Sequence, residues 1–268
     1  MKSEWDAWRA ASPSEAASSS SRGQTQPVTV HDARPVRRIQ RRPAADVDPD
    51  AWPYDLPAVR QLLRDGLELP AGVTFLVGEN GAGKSTITEA VASAAGLNVE
   101  GGTRNARHTT RRTESPLHDA LELVRSPGAA RWGYFLRAET MHGLYTYLED
   151  VGAPGPRLHE LSHGESFLEV LQRNVDGTGF YVLDEPEAAL SFTSCLALVG
   201  MFERLAEAGA QVLCATHSPL LTALPGATIL ELGDHGMTPV VWDELQLVAH
   251  WRGYLHDPQR YLRHVLGL

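Results

Sequence analysis

The segment from Gly78 to Thr86 has the residue types and spacing of a phosphate-binding loop. It reads GENGAGKST, the pattern G-x-x-x-x-G-K-[ST]. Glycines let successive backbone N–H groups point into one concavity that holds phosphate oxygens, and the following helix N-terminus favours the same anion. Lys84 is expected to reach the β- and γ-phosphates, Ser85 to ligate Mg²⁺ through its hydroxyl, and Thr86 to contact the α-phosphate. The predicted nucleotide ligands in this loop are Gly78, Glu79, Asn80, Gly81, Ala82, Gly83, Lys84, Ser85 and Thr86.

Two carboxylates follow an apolar run farther along the chain. Residues 180–186 read FYVLDEP, and the four apolar residues favour a buried strand that ends at Asp184 and Glu185. Open α/β sheets bind ligands at the carboxyl ends of their strands. We therefore expect Asp184 to hold Mg²⁺ through water, and Glu185 to orient and deprotonate a water that attacks phosphorus.

Two further segments extend the candidate site. Residues 161–166 read LSHGES before the periodic run FLEVLQ, so Ser162 is a natural helix N-cap and Glu165 completes a capping box. His217 lies in ATHSP, directly after the apolar run AQVLC, and is one helix and one strand beyond Glu185. This order predicts that His217 returns to the same edge of the sheet, beside the γ-phosphate.

Apolar runs alternate with helical patterns, and this order predicts a mostly parallel α/β sheet with helices on both faces. Strands are predicted at 72–78, 131–139, 180–186 and 210–219, with PVRRIQ at 35–40 as a basic edge strand. Helices are predicted at 85–95, over HDALELVRS at 118–126, at 192–208, and after Asp257, which caps the last one. The folded body is expected to begin near residue 35.

Composition separates a polar N-terminal tail from an acidic body. Of the 268 residues, 43% are hydrophobic and 21% are charged, as in ordinary globular domains, whereas residues 1–34 are rich in Ser and Ala and are predicted to be disordered. Residues 1–45 hold eight basic and four acidic side chains, and the remainder holds sixteen basic and twenty-nine acidic ones. An acidic body argues against a broad nucleic-acid-binding surface.

Cysteine usage and apolar run lengths indicate the compartment. Cys195 and Cys214 lie among apolar neighbours and are predicted to be buried thiols, because two cysteines build neither a disulfide framework nor a zinc site. No apolar run reaches the roughly 18 residues that span a bilayer, and the N-terminus lacks the apolar core of a signal peptide. We expect a cytoplasmic protein with no membrane span of its own.

Taken in order, these segments resemble the ATP-binding-cassette (ABC) ATPase superfamily, and the likeness runs from Val73 to Ser218. It implies a P-loop NTPase core at 35–268, with a small helical signature part at about 115–175, that binds ATP and Mg²⁺. The implied motifs are Walker A at Gly78–Thr86, the signature at Leu161–Glu165, Walker B at Tyr181–Asp184, the D-loop at Ala189–Ser191 and a switch histidine at His217. The implied catalytic residues are Lys84, Glu185 and His217, and the implied metal ligands are Ser85 and Asp184.

The departures from the superfamily pattern indicate which branch of the superfamily the chain resembles. The signature reads LSHGE instead of LSGGQ, and Arg137 or Glu139 stands where a Q-loop glutamine is expected. Trp52 and Tyr54 are the candidate aromatics for stacking on adenine. Transporter subunits read DEPTSALD and THD, whereas this chain reads DEPEAALS and THSP. These segments resemble the soluble branch with the structural-maintenance-of-chromosomes and RecF-type ATPases, and small stand-alone bacterial ATPases of the AAA/ABC-like type.

The resemblance implies a soluble ATPase that hydrolyses ATP to ADP and phosphate through an ATP-dependent head-to-tail homodimer. Ser162 and Gly164 would then face the γ-phosphate bound by the other copy. Two further functions stay open: the nucleotide-binding subunit of an ABC transporter, and an ATP-switched interaction module for DNA repair or defence. The run RNARHTTRR at 104–112 supports the interaction module, because its four arginines suit a phosphate backbone, with DNA or an unidentified protein as partner.

Overall fold

The computed structural model describes residues 34–98, 115–138, 163–175 and 177–267. The strands of its largest sheet are β3 (Gly72–Gly78), β5 (Gly133–Arg137), β6 (Phe180–Asp184), β7 (Gln211–Ala215), β8 (Thr228–Gly233) and β9 (Gly236–Val240). They lie in the order β5-β6-β7-β3-β8-β9, in which the first five run parallel and β9 pairs antiparallel with β8. The predicted mostly parallel α/β sheet is confirmed.

The three central strands are buried because helices cover both faces of the sheet. Every residue of β6 and β7 is buried, and so are the five inner residues of β3. Such strands are expected to be continuous apolar runs, as FYVLD and GVTFLVG are, because neither face meets water. The sequence therefore locates these strands to within a few residues of their observed ends.

A second, three-stranded sheet corrects two predictions. Its strands are β1 (Arg38–Arg41), β2 (Leu67–Glu68) and β4 (Leu121–Val124), and β1 lies between the other two. The basic strand is thus central in its sheet, and the predicted edge position is wrong. The helix predicted over 118–126 is also wrong beyond its first turn, because residues 121–124 pair along the whole length of β1, and this pairing outweighs local helix propensity.

Helices pack on the two faces as separate apolar layers. The helices are α1 (Pro57–Asp65), α2 (Lys84–Ala94), α3 (Leu117–Ala120), α4 (His163–Asn174), α5 (Phe192–Glu207), α6 (Gln246–His256) and α7 (Pro258–Leu266). Phe167 of α4 and Phe202 of α5 contribute to the layer on one face, and Leu62 of α1 and Ile87 of α2 contribute to the layer on the other. Helices on both faces are as predicted.

Local signals fix several helix ends. Ser191 caps α5 by accepting a hydrogen bond from the Ser194 N–H, and Asp257 caps α7 in the same way from Arg260, as predicted for Asp257. Within the helical signature part predicted at about 115–175, residues 115–138 hold the short helix α3 and the strands β4 and β5. In the described part of the chain, no helix combines the length and the apolar character that a membrane crossing requires.

Candidate nucleotide site

The phosphate-binding loop joins the carboxyl end of β3 to the N-terminus of α2, as the pattern predicts. Gly78 leaves the strand where an added Cβ would collide with the Leu232 carbonyl oxygen, and Gly83 has φ +96°, a left-handed conformation that favours glycine. Residues 78–83 therefore turn back sharply before the helix begins. The loop backbone and the start of α2 meet at one place, which is the geometry that cradles phosphate oxygens.

The Lys84 ammonium lies over this loop. Its Nζ donates hydrogen bonds to the carbonyl oxygens of Gly78 at 2.8 Å and of Glu79 at 3.2 Å, and the residue is only 4% exposed. Burial lowers the pKa of Lys84, while the nearby carboxylates, with Glu185 and Asp184 the strongest, oppose that shift. The chain thus holds one buried cation at the place where the β- and γ-phosphates are expected.

Ser85 and Asp184 form the candidate metal site. Ser85 Oγ donates a hydrogen bond to Asp184 Oδ1 at 3.0 Å, and Asp184 is 3% exposed. Among the described residues, no group of three or more His, Cys, Asp or Glu forms a closed metal cage. A hydroxyl and one carboxylate fit Mg²⁺, which takes oxygen ligands and is usually held by one or two carboxylates together with phosphates and water.

Arg137 links this metal site to the phosphate-loop helix. It ends β5 and stands opposite Asp184 in the parallel register. Its Nε lies 3.2 Å from Asp184 Oδ2, and its Nη1 donates to Glu89 Oε2 on α2 at 3.0 Å. Of the two predicted substitutes for the Q-loop glutamine, Arg137 is therefore placed at the site, and Glu139 lies outside the described residues.

Glu185 and His217 meet beyond the ends of β6 and β7. His217 Nε2 lies 3.3 Å from Glu185 Oε1, and the Glu185 N–H donates to the Ala215 carbonyl oxygen at 2.9 Å. Glu185 has φ 50° and ψ 50°, the left-handed region that residues other than glycine enter at a cost. This strained backbone directs the side chain toward His217 and the phosphate loop.

Glu187 is a polar group of the site that the sequence analysis missed. Its Oε1 accepts a hydrogen bond from Thr216 Oγ1 at 2.7 Å and another from the His217 N–H. Burial raises the pKa of Glu187, the charge of Glu185 raises it further, and these hydrogen bonds act in the opposite direction. The signal in the sequence was an acid directly after DEP, where the transporter pattern has threonine.

Two cavities flank the loop. One of about 170 Å³ is lined by Trp52, Leu56, residues of the loop and Glu185, whereas Tyr54 Oη donates to the Pro116 carbonyl oxygen instead. Of the two candidate aromatics, Trp52 is therefore the one beside the phosphate loop. A second cavity of about 640 Å³ lies between residues 78–82, His217 and the β8–β9 hairpin.

Several predicted residues lie outside the described part of the chain. Among them are Ser162 and the basic run at 104–112. Gly164 lies in the first turn of α4, immediately after the segment that would carry the Ser162 cap. The D-loop prediction falls where the 3₁₀ turn Pro186–Ala189 leads into the Ser191 cap of α5.

Residues 73–161 and 166–223 match the model of a family described as "AAA domain, putative AbiEii toxin, Type IV TA system". These two stretches make up more than half of the chain. The chain belongs to this AAA-domain family. For this AAA domain, the family match confirms the predicted superfamily and fold class, which are those of a P-loop ATPase of the ABC type.

Curated relatives of this AAA-domain protein are much longer than it is. The ribose import ATP-binding protein RbsA of Roseobacter denitrificans is 31% identical over 196 residues, which cover 64% of this chain and 38% of the relative. The brefeldin A resistance protein of Schizosaccharomyces pombe is 26% identical over 248 residues, which cover 78% of this chain and 16% of the relative. The chain thus spans well under half of either protein, and the first name supports the prediction of ATP binding.

Solved structures similar to this AAA-domain protein include two proteins of different kinds. One is an inward-facing putative metal-chelate type ABC transporter, with 16% identity, a TM-score of 0.42 and coverage of 68% of this chain and 76% of that one. The other is an Smc head bound to the C-terminal winged-helix domain of ScpA, with 14% identity, a TM-score of 0.42 and coverage of 65% and 92%.

Proposed function

We propose that this chain binds ATP with Mg²⁺ and hydrolyses it to ADP and phosphate. The observation that carries the proposal is the convergence of three sets of groups at the carboxyl ends of β3, β6 and β7. These are the buried Lys84, the hydrogen-bonded Ser85–Asp184 pair, and the Glu185–His217 pair. Parallel α/β sheets place ligands at this edge, and the phosphate-loop pattern identifies the ligand as a nucleotide.

Each of these groups has a defined role in binding. The N–H groups of residues 79–85 and the Lys84 ammonium hold the β- and γ-phosphates, Thr86 contacts the α-phosphate, and Trp52 stacks on the base. Ser85 and Asp184 would hold Mg²⁺, which would supply positive charge that neutralises the phosphates. Asp184 would hold the metal through water, since its Oδ1 accepts the Ser85 hydroxyl.

The chemical step uses Glu185 and His217. Glu185 takes a proton from a water molecule as the water oxygen forms a bond to the γ-phosphorus. The bond from that phosphorus to the β–γ bridging oxygen breaks, and ADP leaves with that oxygen. His217 lies next to Glu185 and is placed to donate a hydrogen bond to a γ-phosphate oxygen as charge develops there.

The active form is a head-to-tail homodimer. The described site holds the phosphate loop, Asp184 and Glu185, and Gly164 at the start of α4 would be presented to the other copy with Ser162. The N-terminus of a twelve-residue helix suits a γ-phosphate. The buried thiols Cys195 and Cys214 and the use of ATP favour a reducing, cytoplasmic setting.

The description of the matched family favours a role in defence. Because it names a toxin of a type IV toxin–antitoxin system, an ATP-switched module for defence is the second candidate function. The name of RbsA favours the nucleotide-binding subunit of a transporter as the third candidate. DNA that stimulates hydrolysis at low salt and not at high salt would support the second candidate and a role for residues 104–112.

Phosphate release by the purified chain tests the proposal. Wild-type protein with ATP and Mg²⁺ should release phosphate at a steady rate, and EDTA should stop the release. Each candidate partner is then added in turn, because a module of this type can be slow alone. Hydrolysis that is absent in every mixture, by a protein that melts cooperatively, would reject the proposal.

A further inference from the structure

Two departures from the transporter pattern meet in space. Position 187 is Glu in DEPEAALS where the pattern has Thr, and position 218 is Ser in THSP where it has Asp. Thr216 joins these two positions: its Oγ1 donates to Glu187 Oε1 at 2.7 Å and accepts from the Ser218 N–H at 2.9 Å. Compared with the transporter pattern, this chain lacks the carboxylate directly after His217, and the Glu187 carboxylate reaches the same loop from the turn after β6.

The Glu187 carboxylate also contacts His217 directly. Its Oε1 accepts the backbone N–H of His217 as well as the Thr216 hydroxyl, and Thr216 Oγ1 in turn accepts the Ser218 N–H. These bonds order the three residues Thr216–Ser218, hereafter the switch loop. Glu187 lies in the 3₁₀ turn that begins directly after Glu185, and this turn is closed by the hydrogen bond from the Ala188 N–H to the Glu185 carbonyl oxygen at 3.1 Å. Glu187 thus holds the backbone of His217 directly, and it lies in the same turn as Glu185, two residues farther along the chain.

We propose that Glu187 is a positioning residue for ATP hydrolysis, which holds the switch loop so that His217 Nε2 stays beside Glu185. The inference rests on the proposed function, since it concerns the same site. Glu187 acts through Oε1 as a double acceptor and does not contact the nucleotide. It would keep the two catalytic side chains in register before ATP arrives, and preorganisation of this kind lowers the barrier of the chemical step.

The surroundings of Glu187 argue against a purely structural role. Its second oxygen, Oε2, is buried and has no hydrogen-bond partner among the described residues. A buried carboxylate oxygen without a partner costs free energy. The turn thus carries an unfavourable group next to the catalytic pair, as expected where placement of that pair takes precedence over stability.

Three variants test the proposal. Glu187→Ala removes the double acceptor, Glu187→Gln retains an oxygen that accepts both hydrogen bonds, and Thr216→Val removes the hydroxyl while it keeps the shape. Glu207→Ala, on the exposed surface of α5, is the control for loss of an acidic side chain. We expect Glu187→Ala and Thr216→Val to lower kcat about tenfold to a hundredfold with KM for ATP nearly unchanged.

A second readout does not depend on activity. Hydrogen exchange at the His217 amide, measured by NMR without nucleotide, should speed up in Glu187→Ala and stay slow in Glu187→Gln and in the control. The Gln variant should also recover most of kcat. If Glu187→Ala does not fold, Thr216→Val tests the positioning role instead. In that variant the Ser218 amide should exchange faster and kcat should fall.

The outcomes separate this inference from the proposed function. Wild-type hydrolysis with unchanged kcat in Glu187→Ala, or in Thr216→Val if the first variant does not fold, would overturn the positioning role and leave the ATPase intact. A Gln variant as slow as the Ala variant would also overturn it, because the negative charge and not the acceptor would then be required. Wild-type protein without hydrolysis, with faster His217 exchange in Glu187→Ala, would reject the ATPase and keep the contact.

Discussion

The Ser85 hydroxyl donates a hydrogen bond of 3.0 Å to Asp184 Oδ1 across 99 positions of sequence. Ser85 lies in the first turn of α2, and Asp184 is the last residue of β6, which is separated from β3 by β7. The contact therefore joins the phosphate loop to the strand that is followed by the proposed catalytic base, Glu185. It brings the candidate metal ligands and this carboxylate to one edge of the sheet.

Replacing Lys84 by Ala should abolish ATP binding. The side chain is the buried cation over the phosphate loop, and no other lysine lies beyond residue 2. Calorimetric titration with ATP and Mg²⁺ measures the loss. Lys2→Ala, which removes the only other lysine, is the matched control and should bind as wild type does. Unchanged affinity in Lys84→Ala would refute the assignment of the loop.

Replacing Glu185 by Gln should keep ATP binding and slow hydrolysis by about 10²- to 10⁴-fold, the usual contribution of a positioned general base. Gln has the same shape and cannot accept the proton of water, so the loss falls on kcat. Single-turnover phosphate release measures the chemical step. Full activity in this variant would transfer the role of the base to another group, with His217 at 3.3 Å as the next candidate.

Replacing Arg137 by Met should destabilise the metal-free protein by about 3 kcal/mol, because it leaves a buried carboxylate without its ion-pair partner. Asp184 is 3% exposed and would lose the guanidinium at Oδ2. Mg²⁺ with ATP should therefore raise the melting temperature more in this variant than in wild type. Arg64→Met, which breaks the exposed pair with Asp65, is the control and should change little. Equal shifts in variant and wild type would contradict the prediction.

The free energy of unfolding of wild type should fall relative to that of Glu187→Gln as pH rises, so that the advantage of the Gln variant grows. Burial raises the pKa of Glu187 in the folded protein, so the folded state keeps this proton at pH values where the unfolded chain has released it. The contribution of Glu187 to the stability of wild type therefore decreases as pH rises from the ordinary glutamate pKa to the raised pKa, and it is constant at higher pH. Gln does not titrate and makes no such contribution.

Urea unfolding at several pH values measures that advantage of the Gln variant. The titratable groups that face Glu187 are Glu185, Lys84, His217, Cys195 and Cys214, and the Gln variant retains all of them. Their contributions therefore largely cancel in the difference between the two proteins. An advantage that shrinks as pH rises would contradict the raised pKa.

The sequence predicts the central sheet better than the contacts at its edge. Strands such as FYVLD are buried on both faces, so composition alone identifies them. Local propensity predicts a helix over Leu121–Val124, where the structure has a strand, because the strand depends on pairing with Arg38–Arg41, some eighty positions away. Pairing between distant segments leaves no local pattern in a single sequence.

The candidate site likewise contains some contacts that the sequence predicts and others that it does not. Spacing predicts that Lys84, Asp184, Glu185 and His217 meet, because strand ends fix where they lie. It does not predict the Arg137–Asp184 ion pair, which depends on the register between β5 and β6. The contacts of Glu187 cannot be read from the sequence for a related reason: its partners Thr216 and His217 lie in the loop after β7, and only the fold shows that its Oε2 is buried.

ATP should join two copies of the chain, and hydrolysis should release them. A single copy holds ATP at its own phosphate loop, whereas the start of α4, with Gly164 and the preceding Ser162, would complete the site of a neighbour. The γ-phosphate then acts as the link between two surfaces, as in other nucleotide switches. The net charge of −9 opposes pairing, so the dimer should be weak without ATP and tighter at moderate salt.

Light scattering on the slow variant tests this assembly. Glu185→Gln with ATP and Mg²⁺ should elute as a dimer, and without ATP it should elute as a monomer. Adding Ser162→Arg should return it to monomer, because a bulky cation at the helix start blocks close approach, whereas Ser162→Ala as the control should weaken the dimer less. A monomer under saturating ATP, together with hydrolysis per chain that does not depend on protein concentration, would exclude the roles of Ser162 and Gly164 in trans. The site would then act within one copy, and the Glu185–His217 pair would have to hydrolyse ATP without help from a neighbour.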